Sequence, residues 1–461
     1  MKKLFSAVRE NKEIFFYAVA LLIVFFSYVF LHEKVSLQDV DTAWVISFAD
    51  NYLNSGIETD TVFRNASSEH LLRFGKIQFF VYGHVLNLIG WTRGNAILIS
   101  TFFSFMSMFI WFFIIREFGE NFHTAAAFSV FMLTLFPLFH SAHMARPEAM
   151  VLFMISLSLL LFLKNRFFLS GLTALLAAEI HPMGLLSVFY TGAVIFHSVP
   201  FYMKNRKKAL KNLSFFMAGI ISGLAIFFIL HPRMFSMKMI QSVFNESKLI
   251  DGHERSYFSY LNMHFSHHPK ELVILIFPLL FYWGRQMWRK NALPGIMFIT
   301  VMVSVFIFRR PNHNYPTYVY PALIFISVFA LKELSVLKPA VIGVLIIFML
   351  DVNDIQRTYP RHHTQEILEE VASRVPDDEI PVIALSDYYF VFRNRNYYPV
   401  QYRGSWKKEN IEECYYIDIK GYNPSIKRIL DRKFHRKVLS AFSPVKGKTI
   451  RVLYYKRKQQ F

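Results

Sequence analysis

Residues 14–41 read IFFYAVALLIVFFSYVFLHEKVSLQDVD, from Ile14 to Asp41. Ile14 to Leu31 carries no charge, and a spanning helix needs roughly 17–25 mostly apolar residues. Lys2, Lys3, Arg9 and Lys12 precede the run, so its N-terminal side is predicted to stay cytoplasmic. No small-x-small cleavage site follows, because the chain continues Phe30-Leu31-His32-Glu33-Lys34. The segment therefore reads as an uncleaved anchor rather than a signal peptide. Beyond it, on the outer side, comes Gln38-Asp39-Val40-Asp41, which sets two carboxylates at the mouth of the first span.

The rest of the chain extends this pattern. Of 461 residues 54% are hydrophobic, 18% are charged and 51 are Phe. A soluble domain is typically about 45–50% apolar and about 25% charged. The apolar excess is concentrated in the first three quarters, which excludes a single soluble fold, a disordered chain and a fibrous one. One Cys, Cys414, excludes an internal disulfide framework and a Cys-cluster metal site.

Further apolar stretches run at about 95–115, 121–140, 148–163, 167–180, 184–202, 212–230, 271–284, 293–308, 316–331 and 339–353. The basic clusters test this register. Lys164 with Arg166, Lys204 through Lys211, Arg285 with Arg289 and Lys290, and Lys332 with Lys338 all fall on the cytoplasmic side. The expectation is an α-helical polytopic inner-membrane protein of about 11 transmembrane helices, N-terminus cytoplasmic. Ile77–Gly90 then lies along the surface or re-enters, because a crossing there would reverse everything after it. Much of the formal charge of +19 is explained by orientation, which argues against nucleic-acid binding.

Residues 1–353 form the predicted membrane domain, with a first outer loop at 32–76 carrying juxtamembrane helices. Residues 354–461 form a predicted small extracytoplasmic α/β domain. In it Glu366–Val375 reads as an amphipathic helix. Pro381–Leu385, Tyr388–Arg393, Cys414–Ile419 and Thr449–Tyr455 read as strands, being β-branched and aromatic between short breaks. No internal repeat of the transporter kind is visible.

Charges near membrane depth mark functional sites by default. Asp39 and Asp41 are the first; the bland reading is a solvated loop or an N-cap for a helix at Thr42–Leu53. Within His143-Met144-Ala145-Arg146-Pro147-Glu148, Pro147 and Glu148 suit a helix's first turn. Arg146 has no such account on a side where positive charge is disfavoured. His181, in Glu179-Ile180-His181-Pro182, is a polar turn or an anion ligand. Arg309-Arg310-Pro311-Asn312-His313, followed by Tyr318, suggests phosphate binding by guanidinium groups; the alternative is a snorkelling interfacial loop. Among His253, His264, His267 and His268, the pair His264 and His268 would share a helix face and could bind a metal, which is a weak signal. Together the carboxylates and outer cations suit an anionic, membrane-held substrate such as a sugar on a lipid phosphate.

Asp41-Thr42-Ala43-Trp44, Ala49 and Leu53-Asn54-Ser55-Gly56 resemble the opening of the GT-C superfamily of membrane glycosyltransferases, shared by protein O-mannosyltransferases and lipid A aminoarabinose transferases. The family's Asp-Glu pair is Asp41-Thr42 here, with Asp39 as an extra acid. Lys76-Ile77-Gln78-Phe79 stands where the family has Lys-Pro-Pro-Leu, without the prolines. Ala145-Arg146-Pro147-Glu148 resembles the Arg-x-Asp/Glu start of a later helix. Pro316-Thr317-Tyr318-Val319-Tyr320-Pro321 resembles the late Pro-x-Tyr-x-x-Pro element, where Arg310 or His313 replaces the family's phosphate-binding Lys. The resemblance covers about residues 10–335.

It implies transfer of a sugar from a polyprenyl-phosphate donor to a glycan, lipid or protein acceptor at the outer membrane face. Asp41 is then the general base of an inverting displacement, and Arg146, Arg309, Arg310, His313, His181 and Tyr318 surround the donor phosphate. Asp39 is open to three roles: binding the acceptor, holding a divalent cation or orienting Asp41. Members differ in metal use, so no metal is assigned and no other cofactor is expected. Two alternatives stand beside this reading. One is a polymerase or ligase using diphosphate-linked oligosaccharides, which would place its catalytic loop late in the chain. The other is a lipid-linked sugar flippase, which would carry charges near the middle of several spans.

Overall fold

The computed structural model describes residues 2–32, 40–56, 75–199, 204–232, 269–308, 316–358, 364–400, 411–419, 424–445 and 448–458. Each apolar stretch of the sequence is built around helix. The bundle comprises α1 (Lys2–His32), α2 (Val40–Ser55), α3 (Lys76–Ile89), α4 (Arg93–Glu117), α5 (Phe122–Thr134), α6 (Phe136–Ala142), α7 (Pro147–Leu163), α8 (Phe167–Ile180), α9 (Leu186–His197), α10 (Arg206–Leu230), α11 (Pro269–Gly284), α12 (Leu293–Phe308), α13 (Pro316–Glu333) and α14 (Leu337–Thr358). Lys12–Leu31, Arg93–Glu117 and Arg206–Leu230 are each long and apolar enough to cross a membrane alone. α5 and α6 form a fourth candidate bent by 66°, where the sequence predicted one continuous span. The bend falls at Leu135, whose backbone is extended, and Pro137 follows in the first turn of α6, where its missing N–H costs no helix bond.

The two ends of the bundle differ chemically. At one end Lys164 meets Glu117 at 2.5 Å, Lys332 meets Glu120 at 2.7 Å, Lys290 meets Glu333 at 2.5 Å and Lys338 meets Glu13 at 2.7 Å. Four of the sequence's basic positions thus share one end and tie neighbouring helices together there. The small domain sits at the other end. α3 does not cross. Its Gly75 N–H donates to the carbonyl of Glu179 at the C-terminal end of α8 (2.6 Å). Just past its other end, Trp91 lies under the Arg393 guanidinium of the small domain, 4.9 Å from the ring centre. Both ends of α3 therefore lie at the domain end.

α8 and α10 cross backbone to backbone. A Cβ on Gly171 would lie 2.0 Å from the Phe216 carbonyl oxygen, and one on Gly219 2.0 Å from that of Phe168. Small residues permit this approach, which supplies packing in an environment without hydrophobic drive between helices. Gly219→Val is expected to destabilise the protein by about 1–3 kcal/mol or more, because backbone cannot yield as a side-chain tip can. Thermal unfolding in detergent checks it, with Gly192→Ala as the silent control, since nothing lies within 4 Å of a Cβ there.

The small domain holds β1 (Val382–Ala384), β2 (Tyr397–Pro399), β3 (Glu413–Ile419), β4 (Phe434–Val445) and β5 (Lys448–Arg457) in the order β2-β1-β3-β5-β4. β1 runs parallel to β2 and β3, and β5 runs antiparallel to β3 and β4. Helices α15 (Gln365–Ser373) and α16 (Pro424–Lys433) complete it. Tyr388–Arg393, predicted as a strand, is a 3₁₀ turn followed by a short helix, Tyr389–Phe392. Its aromatic residues follow helical rather than alternating spacing: Tyr388 stacks on Phe392, with ring centres 6.2 Å apart. Cys414 is fully buried in the sheet, and burial pushes its thiol up to about 12. Only the thiolate reacts, so Cys414 should resist iodoacetamide at pH 8 until the domain is unfolded. Rapid labelling of the native protein would contradict that packing.

The domain grips α2. Tyr389 Oη donates to Asp50 Oδ2 at 2.7 Å, and Arg393 Nη1 lies 3.6 Å from Asp50 Oδ1. Burial, reinforced by the neighbouring Asp50 carboxylate, holds the Tyr389 phenol well above its ordinary range, so it remains a donor.

Candidate functional site

The polar residues of the sequence motifs gather at the domain end. α2 begins at Val40, which puts Asp41 in its first turn. The next residue, Thr42, is buried and its Oγ1 accepts the backbone N–H of Ala145 at 3.2 Å. The first turn of α2 is thereby pinned against the start of α7, one residue from Arg146.

Arg146 is the N-cap of α7. Its Nε lies 3.1 Å from both oxygens of Glu148, and its Nη2 lies 2.8 Å from Oε1. This fork-to-carboxylate pair gives Arg146 the structural account that the sequence lacked. Glu148 is 1% exposed, so the pair removes an otherwise costly buried charge while serving the helix's positive end.

On the other side, α3 begins after Gly75, which is left-handed (φ 91°) and offers no side chain to cap the helix. Glu179 of α8 acts as the cap from 103 residues away. Its Oε1 accepts Lys76 N–H at 2.9 Å and its Oε2 accepts Ile77 N–H at 3.2 Å. The same Oε1 lies 2.9 Å from His231 Nε2, beyond the end of α10. Lys76 is 7% exposed, and its Nζ donates to the Leu230 carbonyl at 2.6 Å. Lys76, Glu179 and His231 thus form one buried charge cluster joining α3, α8 and α10. The sequence marked Glu179 only as part of a polar turn and Lys76 only through the family resemblance. No local signal tied them together.

His181 follows Glu179 and caps a 3₁₀ turn, its Nδ1 accepting Met183 N–H at 3.2 Å. Its ring stacks on Tyr318, with centres 6.3 Å apart. These two predicted residues are thus brought together, though their own numbers lie far apart. Tyr318 is fully buried, and Tyr190 Oη donates to its carbonyl at 2.8 Å. Two residues on, Tyr320 Oη donates to Glu271 Oε2 at 2.7 Å, while Glu271 Oε1 accepts Phe136 N–H at the α5–α6 bend. The bent segment is therefore fixed by a carboxylate from α11.

Arg146, His181 and Tyr318 lie along this rim, with the first turn of α2. Asp39, Arg309, Arg310 and His313 lie outside the described residues, as do His253, His264, His267 and His268. Among the described residues, no three His, Cys, Asp or Glu side chains gather as a metal-binding group. The described rim is a set of buried charge pairs around short helix starts, suited to holding charge in fixed positions with little reorganisation.

No protein-family model and no curated protein sequence matches the chain. Two solved structures share its fold from the first helix to the small domain. ArnT from Cupriavidus metallidurans in the apo state is 13% identical, with 97% of this chain and 98% of that chain covered and a TM-score of 0.56. The same protein bound to undecaprenyl phosphate is 14% identical, with 95% and 97% covered and a TM-score of 0.58. ArnT is a lipid A aminoarabinose transferase of the GT-C class, and the fold shared here is the GT-C membrane fold.

Proposed function

We propose that the chain is a glycosyltransferase that moves a sugar from a polyprenyl-phosphate donor to an acceptor at the extracytoplasmic membrane face. The carrying observation is a shared fold, over 95% of the chain, with a transferase bound to undecaprenyl phosphate. The first acidic turn of α2, fixed beside Arg146, supports the same reading. The basic clusters at the end opposite the small domain support a cytoplasmic N-terminus and an outer C-terminal domain.

In this mechanism the acceptor hydroxyl attacks the anomeric carbon as the bond from that carbon to the phosphate oxygen breaks. Asp41 takes the hydroxyl proton, and the polyprenyl phosphate leaves with the bonding electrons. One base and direct displacement give inversion. The leaving phosphate is already stable, so it needs fixed positive charge rather than a strong acid. Arg309, Arg310, Arg146, His313 and His181 are assigned that role, with Tyr318 beside them. To these we add Lys76, a buried cation on the same rim. Asp39 orients Asp41 or meets the acceptor.

Arg309→Ala combined with Arg310→Ala is expected to weaken donor binding about tenfold or more, since a hydrogen bond to a charged group contributes about 1.5–3 kcal/mol. Unchanged donor affinity in a direct binding assay would place the phosphate elsewhere. The function itself is tested in a strain lacking the chain. Envelope glycans and polyprenyl-linked sugars are compared by mass spectrometry with strains expressing the native chain. The donor should accumulate and one envelope glycan should lose a sugar; no change in either removes the transferase reading.

A further inference from the structure

The lysines at the end opposite the small domain are not all alike. Lys164, Lys290, Lys332 and Lys338 each meet a carboxylate within 2.7 Å. Lys204, Arg206, Lys207, Lys208 and Lys211 form no ion pair among the described residues, and all five are exposed. The sequence explains why: no Asp or Glu occurs between Ile180 and Asn245. Arg206, Lys207 and Lys208 also occupy the first turn of α10, where the helix dipole disfavours cations. Positive-inside orientation accounts for basic residues at this end, but it does not account for crowding five of them into residues 204–211 with no acidic residue nearby in the sequence.

A groove opens beside the same turns. It has a volume of about 320 Å³ and an apolar wall made by Phe162 of α7, Ile195 of α9, Val199 and, from α10, Leu210 and Leu213. Arg206 also lines it. Val199 is 41% exposed and Leu210 67% exposed, so the wall opens outward where a bilayer would lie. Arg206 thus joins the apolar wall to the basic first turn of α10, an arrangement that suits an amphiphile with an anionic head.

We propose that this groove is a binding site for one anionic glycerophospholipid. Its phosphate sits among Arg206, Lys207 and Lys208, and an acyl chain fills the groove. The lipid supplies the negative charge that the protein does not, and it meets the positive end of α10. The site lies at the opposite end of the bundle from the transferase rim and stands or falls independently of it.

The test is native mass spectrometry of the purified chain titrated with dioleoyl phosphatidylglycerol and, separately, with dioleoyl phosphatidylcholine. A basic residue near an anionic lipid surface contributes about 1 kcal/mol, so three of them predict a preference for phosphatidylglycerol on the order of 10²-fold. Arg206→Gln, Lys207→Gln and Lys208→Gln together should abolish that preference. Ala209→Trp keeps every charge and fills the groove, so it should weaken phosphatidylglycerol binding roughly tenfold without altering orientation. Equal uptake of the two lipids by the native chain would overturn the proposal. So would a preference that survives the triple substitution, or phosphatidylglycerol binding unchanged by Ala209→Trp. Glycerophosphate binding as tightly as the lipid would show a headgroup site without an acyl seat, and would overturn it as well.

Discussion

Asp41→Asn is expected to lower sugar transfer by about 10²–10⁴-fold, the range lost when a positioned general base is removed. The substitution preserves size and leaves in place the bond from Ala145 N–H to the neighbouring Thr42. Expression, detergent extraction and thermal unfolding should therefore match the native protein while turnover collapses. Donor binding should also remain, since the donor's charge is met by cations elsewhere on the rim. A loss of donor affinity equal to the loss of rate would assign Asp41 to binding rather than proton transfer. Activity within a few fold of native would remove it as the base.

Glu179→Ala is expected to cost about 3–5 kcal/mol of stability, the loss typical of breaking one partner out of a buried charge pair. The carboxylate meets His231 and the first two backbone N–H groups of α3 at once. Gly75 cannot replace it as a cap, having no side chain. Truncation leaves the Lys76 and Ile77 N–H groups and His231 without the carboxylate that they share. Glu179→Gln keeps an acceptor oxygen and should recover part of the loss. Melting of the purified protein in detergent reads both variants. A melting temperature for Glu179→Ala within a degree of native would mean that the cluster does not bind α3 to α8.

The helices were legible because apolar runs longer than a soluble domain allows leave few alternatives. The common end of Lys164, Lys290, Lys332 and Lys338 was legible for the same reason, through the bias of basic residues to one side. The position of Ile77–Gly90 was not, since an apolar run of that length suits both a short span and a surface helix. It was decided by what its two ends touch, Glu179 and Arg393. In the small domain β4 escaped detection because it is an edge strand whose Phe434–Val445 is mostly exposed and carries no alternating pattern. At the rim, the stacking of His181 on Tyr318 follows from two motifs that the sequence had already singled out. The Lys76–Glu179–His231 cluster does not, because its members come from three helices and no spacing rule links them. Arg146 lies between these cases: its partner is two residues away, yet a carboxylate at a helix start is normally explained by the dipole alone.

The grip of the small domain on Asp50 has a mechanical consequence. Asp50 lies nine residues beyond Asp41 on a single helix, roughly 14 Å along its axis. A rocking of α2 by about 5° about that grip would displace its first turn by roughly 1.2 Å, and a misplacement of about 1 Å can cost 10²-fold in rate. The domain thus acts as the handle of a lever whose short tip carries Asp41. Any shift of the domain's seat on α2 therefore carries the start of that helix with it, so the two ends of α2 answer to one rigid-body coordinate.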